Sequence, residues 1–117
     1  MMAENRSSKR KRVDTSIKVS NALTGRSLGH IGNLSAEGML LISDQQLPED
    51  ALFQFVFQLP GADGSRSHDI EVGVHEQWSE AANVPGQVWT GFRIIDISPE
   101  DFELLYDWVT DPRQPLG

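Results

Sequence analysis

The nine residues Ala51-Leu-Phe-Gln-Phe-Val-Phe-Gln-Leu59 constrain this chain more than any other stretch. Ala51, Phe53, Phe55, Phe57 and Leu59 recur at every second position, while Gln54 and Gln58 mark the alternate side. A period of two puts these apolar groups on one face of an extended strand, whereas a helix would scatter them. Pro60-Gly61 ends the run, because proline brings no backbone donor to a sheet ladder. Such a strand has to bury its apolar face against other strands.

Those strands are legible on either side. Thr15–Asn21 carries Ile17 and Val19 around Lys18. Ser27–Leu34 carries Leu28 and Ile31, with Gly29 and Gly32 permitting twist or close packing. Met39–Ile42 is a short apolar return. Ile70, Val72, Val74 and Trp78 alternate with Glu71, Gly73, His75 and Gln77. Beyond the turn residues Pro85-Gly86, Val88, Phe92 and Ile94 oppose Trp89, Arg93 and Ile95. The period then changes. Ser98-Pro-Glu-Asp101 combines a serine N-cap, a first-turn proline and acids at the positive helix end. Phe102, Leu105, Tyr106 and Val109 follow on one helical face. The spacing predicts a helix over Pro99–Val109, with Phe102, Leu105 and Val109 toward the core. Six half-polar strands and one helix make an all-β fold, a six-stranded antiparallel barrel with a C-terminal helix. The expected organisation is a flexible basic arm at 1–11, the barrel and helix at 12–111, and a short tail at 112–117.

Charge divides the same way. Residues 1–12 carry five basic groups (Arg6, Lys9, Arg10, Lys11, Arg12) against Glu4; the remainder carries five basic and sixteen acidic groups, a balance of -11. So acidic a body repels DNA and RNA, whose binding draws on the neutralisation of many phosphates. A short basic arm on an acidic body suits a small anionic ligand. The absence of cysteine excludes disulfides and thiol catalysis. No run of 18 apolar residues is present to cross a membrane, and the basic N-terminus lacks the apolar stretch of a secretory signal. A cytoplasmic protein without membrane insertion is the expectation. His30, His68 and His75 form no close ligand pair, so no metal site is expected. There is no G-x-S-x-G elbow and no P-loop; the chain reads as a binding module, not an enzyme.

Between the second and third strands lies Asn33-Leu-Ser-Ala-Glu-Gly38, a polar corner. Asn33 can donate and accept hydrogen bonds, and Ser35 adds a hydroxyl on the same side if strand pairing persists. Gly38 permits a conformation or an approach that a β-carbon forbids. In the arm, arginine offers a planar fork that clamps phosphate and stacks on a base. Arm and corner together suit a compact ligand containing guanine and phosphate.

The spacing of Arg6-Ser-Ser-Lys-Arg10 and Asn33-Leu-Ser35-Ala-Glu-Gly38 resembles the R-x-x-x-R and [D/N]-x-S-x-x-G elements of the PilZ domain, the bacterial receptor for cyclic di-GMP. The resemblance continues through Leu59-Pro60, the Val72 to Trp78 strand, Gly91-Phe92-Arg93-Ile94 and the helix after Ser98, roughly residues 6–110. It implies a receptor without a cofactor, in which the arm wraps a ligand held on the barrel surface and the signal passes to a protein partner. Arg6 and Arg10, helped by Arg12, would contact phosphates and guanines. Asn33 and Ser35 would fix a guanine and its phosphate, and Gly38 would keep the corner tight. Two places are open to Trp78: the rim of the site or the barrel interior. An adaptor that has lost the nucleotide and acts only through protein contacts is the alternative.

Overall fold

Each apolar alternation becomes a strand, and every pairing between strands is antiparallel. The computed structural model describes residues 11–12, 16–61 and 67–111. Its elements are β1 (Lys11–Arg12), β2 (Lys18–Asn21), β3 (Ser27–Leu34), β4 (Gly38–Ser43), β5 (Leu52–Leu59), β6 (His68–Ala81), β7 (Val88–Ile97) and α1 (Pro99–Thr110). Around the barrel β2 pairs with β3 and β5, β5 with β6, β6 with β7, and β7 with β4, which returns to β3. β1 lies against the far end of β3, on the side where β2 lies, so β1 and β2 form one interrupted stave. The barrel therefore has six staves and closes on itself, which leaves no long unpaired edge.

The interior is filled by the alternation already visible in the sequence. Phe55, Phe57 and Leu59 of β5 are buried with Ile70, Val72 and Val74 of β6 and with Phe92 of β7. Phe92 meets Phe53 and Phe55 edge-on, with ring centroids 5.8 and 4.9 Å apart, the arrangement favoured by the aromatic quadrupole. One carboxylate is buried among them. Glu76 Oε1 accepts a bond from the Asp50 amide (2.8 Å), and Oε2 accepts one from the Ser79 hydroxyl (2.9 Å). A buried carboxylate requires such partners, and here they tie the β4–β5 loop to β6.

One open choice is decided here, and one expectation needs correction. The alternation of β6 continues inward through Glu76, but a bulge intervenes before Trp78: Glu76 faces Phe92 while Trp78 faces Gly91. Gln77 is the extra residue, and it turns Trp78 to the outer surface. On α1, Leu105 and Val109 are buried as expected, but Phe102 is 41% exposed and Trp108 takes the inner place. The buried stripe is centred on Leu105, with Phe102 and Tyr106 at its edge. Trp108 turns inward with its indole N–H donated to the Pro60 carbonyl (3.1 Å), which anchors α1 to the end of β5. At the other end Ser98 caps the helix by accepting from the Asp101 amide, and the Asp101 carboxylate accepts from the Glu71 amide of β6.

Replacing Leu105 with alanine should cost about 2–5 kcal/mol, as for other fully buried leucines. Phe102→Ala should cost under about 1 kcal/mol, since much of its ring stays in water. Denaturant unfolding of the two variants checks the difference. Equal losses would contradict the assigned orientation of the helix.

Candidate functional site

The corner is built by its own short side chains. β3 ends at Leu34, so strand pairing does not persist to Ser35, which turns inward and is 1% exposed. Its hydroxyl oxygen accepts from the amides of Glu37 and Gly38 (both 3.1 Å) and donates to the Gly38 carbonyl (3.3 Å). The Ser35 amide also donates to that carbonyl, at 2.9 Å. A serine in this position does locally what a turn of backbone would otherwise have to do. The Glu37 carbonyl in turn accepts from the Ile94 amide of β7 (2.8 Å), so the corner is fastened across the sheet.

Gly38 is required by close approach. A β-carbon there would lie 2.4 Å from the Phe92 carbonyl oxygen, and a backbone atom in a paired strand cannot step aside. The space a side chain would need is occupied by β7.

Next to this pinned corner the register lines up one row across the outer surface. The Cα of Asn33 pairs with Leu40, Leu40 with Gly91, and Gly91 with Trp78. At its other edge Asn33 pairs with Arg12, so the backbone of Arg12 ends the row. Paired residues share a face of the sheet, which makes Asn33, Leu40, Gly91 and Trp78 one ordered strip that ends at an aromatic ring. The neighbouring row, Leu34, Met39, Phe92 and Glu76, points inward and is buried.

The Trp78 indole packs against Gly91. A β-carbon on that glycine would meet the indole Nε1 at 2.4 Å and Cε2 at 2.5 Å. Glycine therefore allows the indole to approach the strand this closely, while Trp78 stays 47% exposed. Asn33, Gly38, Leu40, Trp78 and Arg93 line one open groove of about 1060 Å³ over this strip. That is at the upper end of the roughly 300–1,000 Å³ usual for small-molecule sites. The groove's charged lining is Glu37, Glu80 and Asp96 against Arg93. An anion entering it needs added positive charge.

Of the residues expected to form the site, Asn33, Gly38 and Trp78 line the groove, and Ser35 supports its floor from within. Arg12 is placed by its backbone opposite Asn33; Arg6 and Arg10 lie outside the described residues. Arg93 and Trp89, which the sequence places on one face of a strand without assigning them to the site, also line the groove. The signal for Arg93 was its outward place in the β7 alternation, but only the pairing of Arg93 with Gly38 brings it to the corner. Among the described residues no helix is long and apolar enough to cross a membrane.

The PilZ domain family model matches residues 4–111, nearly the whole chain. The chain belongs to the PilZ domain family. No curated protein matches its sequence significantly. Several solved structures share the fold, among them the two that follow. The Bacillus subtilis inhibitor of motility MotI/DgrA is 16% identical with a TM-score of 0.72, over 91% of this chain and 49% of that one. The chain thus spans about half the length of MotI. The PilZ domain of Escherichia coli YcgR, solved with c-di-GMP, is 15% identical with a TM-score of 0.52, over 91% of this chain and 89% of the other.

In this PilZ domain the corner makes a direct stability prediction. Ser35→Ala strands the Glu37 and Gly38 amides and should cost about 1–3 kcal/mol. Gly38→Ala pushes a methyl group onto the Phe92 carbonyl and should cost about 1–3 kcal/mol or more. Thermal melts of both variants test this; a wild-type melting temperature for Gly38→Ala would show that β4 and β7 can separate without penalty.

Proposed function

We propose that this PilZ domain is a cytoplasmic, non-catalytic receptor for cyclic di-GMP, which orders the basic arm over the groove and passes the signal to a protein partner. The observation that carries the reading is the outer strip from Asn33, beside the backbone of Arg12, through Leu40 and Gly91 to the exposed ring of Trp78. A guanine is planar and bears donors and acceptors on its edge. Trp78 offers a flat surface for stacking, and Asn33 a side chain able both to donate and to accept. The two ligand phosphates are neutralised by Arg6, Arg10 and Arg12, with Arg93 as the cation fixed in the groove wall. Ser35 and Gly38 serve by holding the corner against β7.

The acidic lining explains why an arm is needed. With Glu37, Glu80 and Asp96 outnumbering Arg93, the groove alone repels a dianion. The five basic residues within positions 1–12 reverse that balance once they close over it. The same acidity also suits an adaptor that contacts only proteins, and titration separates the two readings.

Isothermal titration with cyclic di-GMP, with GTP and cyclic GMP as controls, should give a Kd in the low micromolar range or tighter, about -8 kcal/mol. Arg10→Lys keeps the charge but loses the fork, and should weaken binding about tenfold, or 1.4 kcal/mol. Trp78→Ala should remove about 1–3 kcal/mol of stacking. Absence of heat and of any chemical-shift change at roughly 100-fold the expected Kd would favour the adaptor.

A further inference from the structure

One exposed surface is absorbed neither by the barrel nor by the ligand strip. On α1 the rings of Phe102 and Tyr106 stack with centroids 6.1 Å apart and planes 23° from parallel. Tyr106 is 48% exposed, and Ile95 on the outer side of β7 is 53% exposed. Phe102 and Ile95 both line the outer groove, so this aromatic surface continues directly from it. Beside the rings stand Glu103 and Asp107, one helical turn apart on the same flank, and α1 contains no basic residue.

We infer that the Ile95–Phe102–Tyr106 surface docks a partner protein through a segment in which basic residues flank an apolar or aromatic anchor. This rests on the receptor reading insofar as that reading requires a protein partner. The occupant follows from chemistry. Exposed stacked aromatics call for an apolar counterpart, and a flanking carboxylate pair on an acidic body calls for Lys or Arg around it. A second copy of this chain would set Glu103 and Asp107 against like charges and bring a net charge of -7 to meet -7. The chain's own arm has the charge but no aromatic or branched apolar residue among positions 1–10 to cover the rings. Nucleic acid and anionic membrane are repelled by the same carboxylates. Because Phe102 stands at both the groove and the docking surface, filling the groove changes one wall of the partner site.

The test places a photo-crosslinking amino acid at Tyr106 of the full chain in its own cells, identifies the adduct, and measures the recombinant partner against four proteins: wild type, Tyr106→Ser, Glu103→Lys/Asp107→Lys and the control Leu23→Ser. We expect a heterologous protein, crosslinked through a basic segment, whose affinity falls at least about tenfold in each variant. Leu23→Ser, at an exposed loop position, should leave it unchanged. Tyr106, Glu103 and Asp107 do not line the groove, so cyclic di-GMP titration of the same variants should match wild type. Loss of partner binding with intact ligand titration supports the surface. The proposal is overturned if the adduct is a second copy, if no adduct forms, or if partner affinity is unaffected by either variant. A failed ligand titration in wild type would bear on the receptor reading alone.

Discussion

The contact on which the rest of this molecule depends is the backbone approach of Gly38 to Phe92. β4 pairs with β7 from Gly38 to Ser43, and it also pairs with β3; through it the sheet becomes a closed barrel. A β-carbon at residue 38 would lie only 2.4 Å from the Phe92 carbonyl oxygen. Ser35 prepares the approach by gathering the Glu37 and Gly38 amides onto one hydroxyl, and the Glu37 carbonyl completes it at Ile94. The residues that look like ligand contacts in the sequence are thus divided by the fold. Ser35 and Gly38 build the corner, and Asn33 stands on the surface that the corner creates.

Closure also sets the register that assembles the outer strip. Asn33, Leu40, Gly91 and Trp78 come from four strands and span 59 positions of sequence. They meet because the ladders on both sides of β7 are locked, one through Gly38 and the other through the bulge at Gln77. The bulge has two effects at once. It lets Glu76 remain inside, where the Asp50 amide and Ser79 hydroxyl satisfy it, and it turns Trp78 out onto Gly91. An extra residue in one strand is a small perturbation that redirects a large ring.

Electrostatics gives the two halves of the chain complementary tasks. The folded body is acidic, including the groove lining and α1, while the basic residues concentrate in the first twelve positions. On the proposed reading, an anionic ligand would gain little from the acidic barrel by itself and would depend on the basic residues of the first twelve positions. On the proposed receptor reading that arrangement would suit a switch, because filling the groove would change the charge and shape presented beside Phe102.

Strand number, helix position and the polar corner could be read from sequence because each rests on local rules: a period of two, a capped period near 3.6, and short polar residues before glycine. The Phe53–Phe57 alternation, the Ser98 cap and the Asn33–Gly38 turn all stand where those rules put them. What tertiary structure alone decided is where local periodicity is interrupted or is too broad to choose a face. Trp78 belonged to an inward pattern until the β6–β7 register inserted Gln77. Phe102 and Trp108 compete for one side of α1, and the Pro60 carbonyl, 48 residues from Trp108, settles the choice by accepting its indole N–H. Arg93 reached the groove through its pairing with Gly38. Sequence determines the periodicity of each element, whereas the side a residue faces at a bulge or helix edge depends on hydrogen bonds to distant backbone, which exist only once the barrel has closed.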